Sequence, residues 1–180
     1  MRKVGFLLGA VLLLSLTAAA QNAPKAETFF GYSYIRANPN TSGAPAFNLH
    51  GGSASLAWNP SSSLGIVGDF GGYHVGQISG FNVDSNLYTY LFGPRLSRRG
   101  RITPFAQVLV GGAHLTGSAL GTASQNSFAM TAGGGLDVTA SDHLAIRLAQ
   151  GEYLLTRFQE VGSRVTQNNF RLSTGVVFRW

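Results

Sequence analysis

The chain has no cysteine, few charges and almost no long apolar run, and each absence removes a class of protein. With no cysteine in 180 residues, disulfides, thiolate metal sites and cysteine nucleophiles are excluded. Charged residues make up 11% of the sequence, against roughly 25% in average soluble domains. Lysine occurs only as Lys3 and Lys25. Beyond the N-terminus, no segment is apolar over the about 20 residues that a membrane-crossing helix needs. Few charges without apolar helices suit a chain whose outer surface faces lipid. The net charge is +6, and its arginines are dispersed except for Arg98, Arg99 and Arg101. Nucleic-acid binders gather such charge into one patch, so no nucleic-acid partner is expected.

The N-terminus reads as a leader. Arg2 and Lys3 precede an apolar run from Val4 to Leu16, and Ala18-Ala19-Ala20 follows. A charged start, a short apolar segment and an A-x-A site describe a secretory signal peptide cleaved after Ala20. The domain division is therefore residues 1–20 as signal peptide and 21–180 as one exported domain.

What remains is alternation. From Phe170 every second residue is Phe170, Leu172, Thr174, Val176, Phe178, Trp180, and the other parity is Asn169, Arg171, Ser173, Gly175, Val177, Arg179. A period of two marks a strand whose faces meet different media. The same pattern recurs from Glu27, over Phe47–Trp58, Leu64–Tyr73, Leu87–Leu96, Ile102–His114, Ser127–Val138 and Leu144–Thr156. That makes about eight strands of about ten residues, enough to cross a bilayer at a tilt. The connections between them alternate long and short. Up-and-down outer-membrane barrels sort their connections this way, with short periplasmic turns and long outer loops. The fold class expected is all-β, an eight-stranded antiparallel up-and-down transmembrane β-barrel.

With aromatic and aliphatic residues facing lipid, the charges within strands turn inward. Asp69, Arg95, Asp137, Arg147 and Arg171 share the inward parity. Strict alternation from Arg147 would send Gln150 and Glu152 into lipid. One extra residue near Leu148-Ala149 restores the pattern, so a β-bulge is expected there. Asp69, Arg95, Asp137, Arg147, Glu152 and Arg171 then form a charge network in a lumen just wide enough for side chains. A narrow, polar and largely closed interior follows, without a wide pore.

The segments LYTYLFGPR (87–95), ITPFA (102–106) and IRLAQGEYLLTRF (146–158) resemble small bacterial outer-membrane β-barrels of the OmpA/OmpX-like superfamily. They are similar to the OmpA-type membrane domains and porin-family proteins common in acidobacteria. The resemblance implies an outer-membrane location, no cofactor, and the lipid bilayer, lipopolysaccharide and the barrel assembly machinery as partners of a monomer. It also implies that Phe178 and Trp180 act as a C-terminal assembly signal, with Trp180 in place of the commoner final phenylalanine. Unlike in full-length OmpA, no peptidoglycan-binding domain is expected after Trp180.

Catalytic patterns are sparse. His50, His74, His114 and His143 are not at metal-ligand spacing. His114, Thr116 and Ser118 lie where lipid A-modifying barrels carry their chemistry, but no carboxylate is placed to orient the histidine. Gly133-Gly134-Gly135 lacks the lysine and helix of a phosphate loop. Arginines beside Asp69 and Glu152 should keep both ionised, which removes the general acid of a glycosidase pair. The expected role is structural or surface-interacting and not enzymatic, residing in four long loops. The rival readings are a lipopolysaccharide-modifying enzyme and a periplasmic lipocalin-like binder with an apolar interior.

Overall fold

The computed structural model describes residues 24–38, 46–78, 81–117, 125–160 and 163–180. The signal-peptide segment, with Ala18 and Ala20, and Ser118 lie outside the described residues. Eight strands follow one another in the chain: β1 (Ala26–Ala37), β2 (Phe47–Trp58), β3 (Leu64–Ile78), β4 (Phe81–Ser97), β5 (Ile102–Gly117), β6 (Gln125–Ser141), β7 (Leu144–Glu160) and β8 (Ser163–Arg179). Each pairs antiparallel with its neighbours in sequence, and β8 returns to β1, so the sheet is a closed barrel. The ends meet through two backbone hydrogen bonds between Ala26 and Trp180. Closure leaves no sheet edge with unpaired N–H and C=O groups.

The closure is staggered. Followed from partner to partner, the row through Ile35, Arg171, Glu152, Gly133, Gln107, Arg95 and Gly65 passes Asn59 and meets β1 again at Lys25. The strands therefore tilt by about 40° from the barrel axis. Phe30, Tyr32, Leu56, Phe70, Phe92, Val110, Phe128, Leu172 and Phe178 lie exposed on the outside. Two aromatic pairs there, Phe30–Phe178 and Phe70–Phe92, meet edge to face at 6.4 and 5.7 Å. On β8 the apolar stretch from Phe170 to Trp180 corresponds to a band roughly 25 Å tall. Above it each strand turns polar on its outward side, through Arg36, His50, His74, Asn86, His114, Asn126, Arg157 and Asn168.

The parity break in β7 is a bulge. Arg147 pairs with Asp137 and Gly175, while Gln150 pairs with Gly135 and Ser173, so the register shifts between them. Leu148 and Ala149 are exposed, and Arg147, Gln150 and Glu152 are buried. Pro94 and Pro104 are both exposed along the β4–β5 seam. Pairing across that seam lapses around Pro94, between Phe92↔Val110 and Arg95↔Gln107, because proline has no N–H to give the ladder.

The expectation of four long loops is corrected. The stretch after Tyr73 continues β3 to Ile78 and reappears in β4 at Phe81, and the polar stretch after Thr156 continues β7 to Glu160 and reappears in β8 at Ser163. Two of the four outer connections are thereby reduced to residues 79–80 and 161–162. Ladder hydrogen bonds do not depend on which side chains alternate. Once the strands rise above the apolar band, the outward positions no longer need to be apolar, and the period of two fades while the strand goes on.

Candidate functional site

The candidate site is the lumen, which the inward parity of all eight strands builds. Its residues form two ionic groups, one at mid-barrel and one at the end that carries the termini and the short turns.

The mid-barrel group centres on Arg171 of β8, fully buried. Its Nη1 donates to Asp69 Oδ1 at 2.7 Å and also lies 3.3 Å from the Tyr73 hydroxyl. Its Nε donates to Glu152 Oε2 at 2.7 Å. One guanidinium thus bridges two carboxylates, both buried. Glu152 Oε1 accepts from Gln107 Nε2 at 2.8 Å, and Gln107 Oε1 accepts from Arg95 Nε at 2.8 Å. Arg95, Gln107, Glu152 and Arg171 all sit on the hydrogen-bonded row traced above, with Gly133 between Gln107 and Glu152. A Cβ at Gly133 would fall on the Gly151 carbonyl and lie 2.6 Å from Glu152 Cα. Glycine at this point lets Gln107 and Glu152 reach each other across the intervening strand.

The second group begins with Arg147, opposite Asp137 in the ladder. Its Nε donates to Asp137 Oδ1 at 2.8 Å and its Nη2 to Oδ2 at 3.1 Å, a bidentate pair. Nη1 donates to Gln150 Oε1 at 2.6 Å. The guanidinium also lies 4.4 Å from the ring centroids of both Phe29 and Phe105. Glu27 Oε1 accepts from Arg99 Nη1 at 2.7 Å and from Arg179 Nε at 2.8 Å. Arg179 Nη1 donates to Thr139 Oγ1 at 2.9 Å. Arg99 Nε also donates to the Ser62 carbonyl at 3.2 Å, tying two short turns together. Of the three clustered arginines, this one turns in towards the lumen.

Of the six network residues named from sequence, five fall into these ion pairs. Arg95 does not. Among the described residues it has no carboxylate within salt-bridge distance; its partners are Gln107 and the Phe105 ring, at 4.6 Å from the centroid. Sequence reasoning missed Glu27, Arg99 and Arg179 as network members: Arg99 lies in a turn, and Glu27 and Arg179, although on the inward parity, lie at strand ends far apart in the chain. It missed Gln107 as a link because one neutral amide carries no signal of its own. It also expected a polar lumen throughout. The end away from the short turns is instead apolar, with Ile35, Leu49, Tyr73, Leu87, Leu91, Leu109, Ala113, Ala129 and Leu154 buried in one cluster.

The other residues singled out lie elsewhere. His50 and His74 are exposed on the outside and His114 is half-buried. His114 Nδ1 is hydrogen-bonded to Asn126 Oδ1 at 2.6 Å. No group of three or more His, Cys, Asp or Glu among the described residues could hold a metal ion. Phe178 and Trp180 are exposed on the outer face, Trp180 at 62%.

No protein-family model matches this chain, and no curated protein is significantly similar to it. Solved structures are similar in fold. Neisserial surface protein A superposes with a TM-score of 0.68 at 13% identity, covering 89% of this chain and all of its own. OprG, an outer-membrane protein of Pseudomonas aeruginosa, gives 0.58 at 10% identity over 89% of this chain and 98% of its own. Ail, the attachment invasion locus protein of Yersinia pestis, gives 0.55 at 17% identity over 87% and 99%. These likenesses show the eight-stranded barrel fold.

Proposed function

We propose that this protein is an exported, monomeric barrel of the bacterial outer membrane with a structural or surface-interacting role and no enzymatic activity. The observation that carries the reading is the inversion of the two faces. Phe30, Leu56, Ile66, Phe92 and Val110 are exposed outside, whereas Arg147, Glu152 and Arg171 are buried inside. In water that arrangement would leave a belt of aromatic and aliphatic surface far larger than a soluble monomer tolerates. In a bilayer it is the low-energy arrangement. It also counts against the lipocalin-like binder, which would reverse the two faces. The OmpA/OmpX-like resemblance and the barrel neighbours agree with this location.

The lumen is proposed to be closed. Arg147 and Arg171 fill it from opposite tiers, each at 0% exposure, and the apolar cluster lies beyond them. Bilayer and lipopolysaccharide are the surroundings of the apolar belt, and Phe178 and Trp180 are proposed as the signal read by the assembly machinery. The enzymatic alternative has His114 to offer, but an amide and not a carboxylate holds its ring.

The test is a carbonate-washed membrane fraction together with gel mobility in cold detergent. The protein should stay in the membrane pellet, and unboiled samples should migrate away from the boiled position. Release by carbonate would overturn the reading. Planar-bilayer recordings should give no steady conductance, and lipid A mass spectra should not change on overexpression, with or without His114→Ala.

A further inference from the structure

The outer wall is interrupted by glycine at one level of β2 and β3. Gly52 and Gly72 are cross-strand partners, and both belong to the outward parity. Their inward neighbours have a steric reason to be glycine. A Cβ at Gly51 would fall on the Gly72 carbonyl, and one at Gly71 would lie 2.5 Å from the Tyr73 hydroxyl. No such reason holds outside. A Cβ at Gly52 would meet nothing nearer than 3.5 Å, and one at Gly72 nothing nearer than 3.6 Å. Neither has the positive φ that favours glycine. Glycine inside a strand weakens it and often marks a place where something approaches the backbone closely.

The missing side chains leave space. A groove of about 700 Å³ runs over this part of the outer wall, with Gly52, Gly72 and Ala54 in its floor and Phe30, Phe70 and Tyr88 along its sides. The next outward residues on the two strands are His50 and His74, which are again cross-strand partners. His50 is hydrogen-bonded to the Tyr32 hydroxyl, and His74 to Asn86. Arg36 follows on β1, opposite Asn48, to which its Nη1 donates at 2.6 Å. The carboxylates of Glu27, Asp69, Asp137 and Glu152 are turned away from this face and buried in the lumen.

An apolar slot topped by a guanidinium and two imidazoles has the chemistry of one kind of molecule. We infer that the β1–β4 face binds a lipid with an anionic phosphate headgroup, an acyl chain lying over Gly52 and Gly72 and the phosphate on Arg36, His50 and His74. Charge-assisted hydrogen bonds to phosphate supply the selectivity, and the groove excludes a bulkier apolar neighbour. This rests on the membrane reading above and adds a specific lipid site to it.

Native mass spectrometry of the full barrel in neutral detergent tests the inference, with dimyristoylphosphatidylglycerol as the probe and a diacylglycerol of the same chains as the uncharged arm. The wild type should retain one phosphatidylglycerol saturably and diacylglycerol far less. Gly52→Leu with Gly72→Leu should abolish the saturable adduct, and Ala54→Leu alone should weaken it. Arg36→Gln with His50→Gln should cut retention roughly tenfold, the loss of one or two charge-assisted bonds. Ala132→Leu, on the outward face of β6, should change nothing. Equal retention of the two lipids, or adducts unchanged when the glycines are filled, would overturn the site. Each variant is first run unboiled on a gel. A wild type without heat-modifiable mobility would count against the membrane reading, whereas normal mobility with unchanged lipid binding counts against the site alone.

Discussion

The two ends of the lumen are held together by different physics. Toward the termini and short turns, inward positions carry Glu27, Arg95, Asp137, Arg147 and Arg179, and each carboxylate there takes two or more donors. Toward the outer end the same parity carries Ile35, Leu49, Leu87, Ala113 and Leu154. The apolar end gains by close packing, which is non-directional and scales with the area removed from water. The ionic end gains little net energy over an apolar filling, because desolvating each charge offsets most of the attraction. Its contribution is geometric. A bidentate Arg147–Asp137 pair across β6 and β7 fits only the register that the bulge at Leu148-Ala149 creates. Losing a partner at the ionic end leaves a bare buried charge, whereas truncating a residue at the apolar end leaves a cavity.

The largest effect should follow from Arg171→Leu, which strips Asp69 and Glu152 of their shared cation. Breaking a buried pair in this way costs about 3–5 kcal/mol, read as a fall in unfolding free energy from urea titrations in detergent. The triple variant Asp69→Asn, Glu152→Gln, Arg171→Leu should recover most of it. A single variant that loses under about 1 kcal/mol would mean the group behaves like a surface pair. Next comes Leu154→Ala in the apolar end, at about 2–4 kcal/mol for a buried leucine, with no second substitution that rescues it. Gly133→Ala should cost about 1–3 kcal/mol through overpacking against Glu152 and the Gly151 carbonyl. Gly72→Ala, outward and unobstructed, should stay within about 0.5 kcal/mol.

How much of this was legible beforehand follows the same division. Alternation found all eight strands, and one misplaced pair, Gln150 and Glu152, was enough to locate the bulge. Charge within strands found the inward face and five of the paired residues. What alternation could not see lies where the two media stop differing. Above the apolar band, β3, β4, β7 and β8 run on through Gly-, Ser-, Thr- and Asn-rich sequence that reads as loop. Inside the barrel's outer end, Leu87, Leu91 and Leu154 are apolar on the parity that was assigned to polar residues, so both faces of those strands are apolar and periodicity is blind to the core they form. Glu27, Arg99 and Arg179 sit at strand ends or in a turn, and only the closed barrel brings them together.

Arg95 supplies the sharpest contrast with Arg171. Both are buried guanidiniums on one hydrogen-bonded row, linked through Gln107 and Glu152. Arg171 holds two carboxylates; Arg95 holds a neutral amide, packs on Phe105 and leaves its Nη2 without a hydrogen-bond partner. Arg95→Met keeps most of the length that covers the ring and removes a charge whose desolvation nothing nearby fully offsets. Replacing buried charged groups by apolar ones of similar volume is often neutral or stabilising, and the one partner that loses its donor here, Gln107 Oε1, carries no charge. The change in unfolding free energy should therefore lie between about zero and a gain of about 1–2 kcal/mol, while Arg171→Met in the same assay destabilises. A loss at Arg95 as large as the loss at Arg171 would show that the ionic end works as one charge-balanced unit, with Glu27 and Asp137 acting on Arg95 from beyond contact distance.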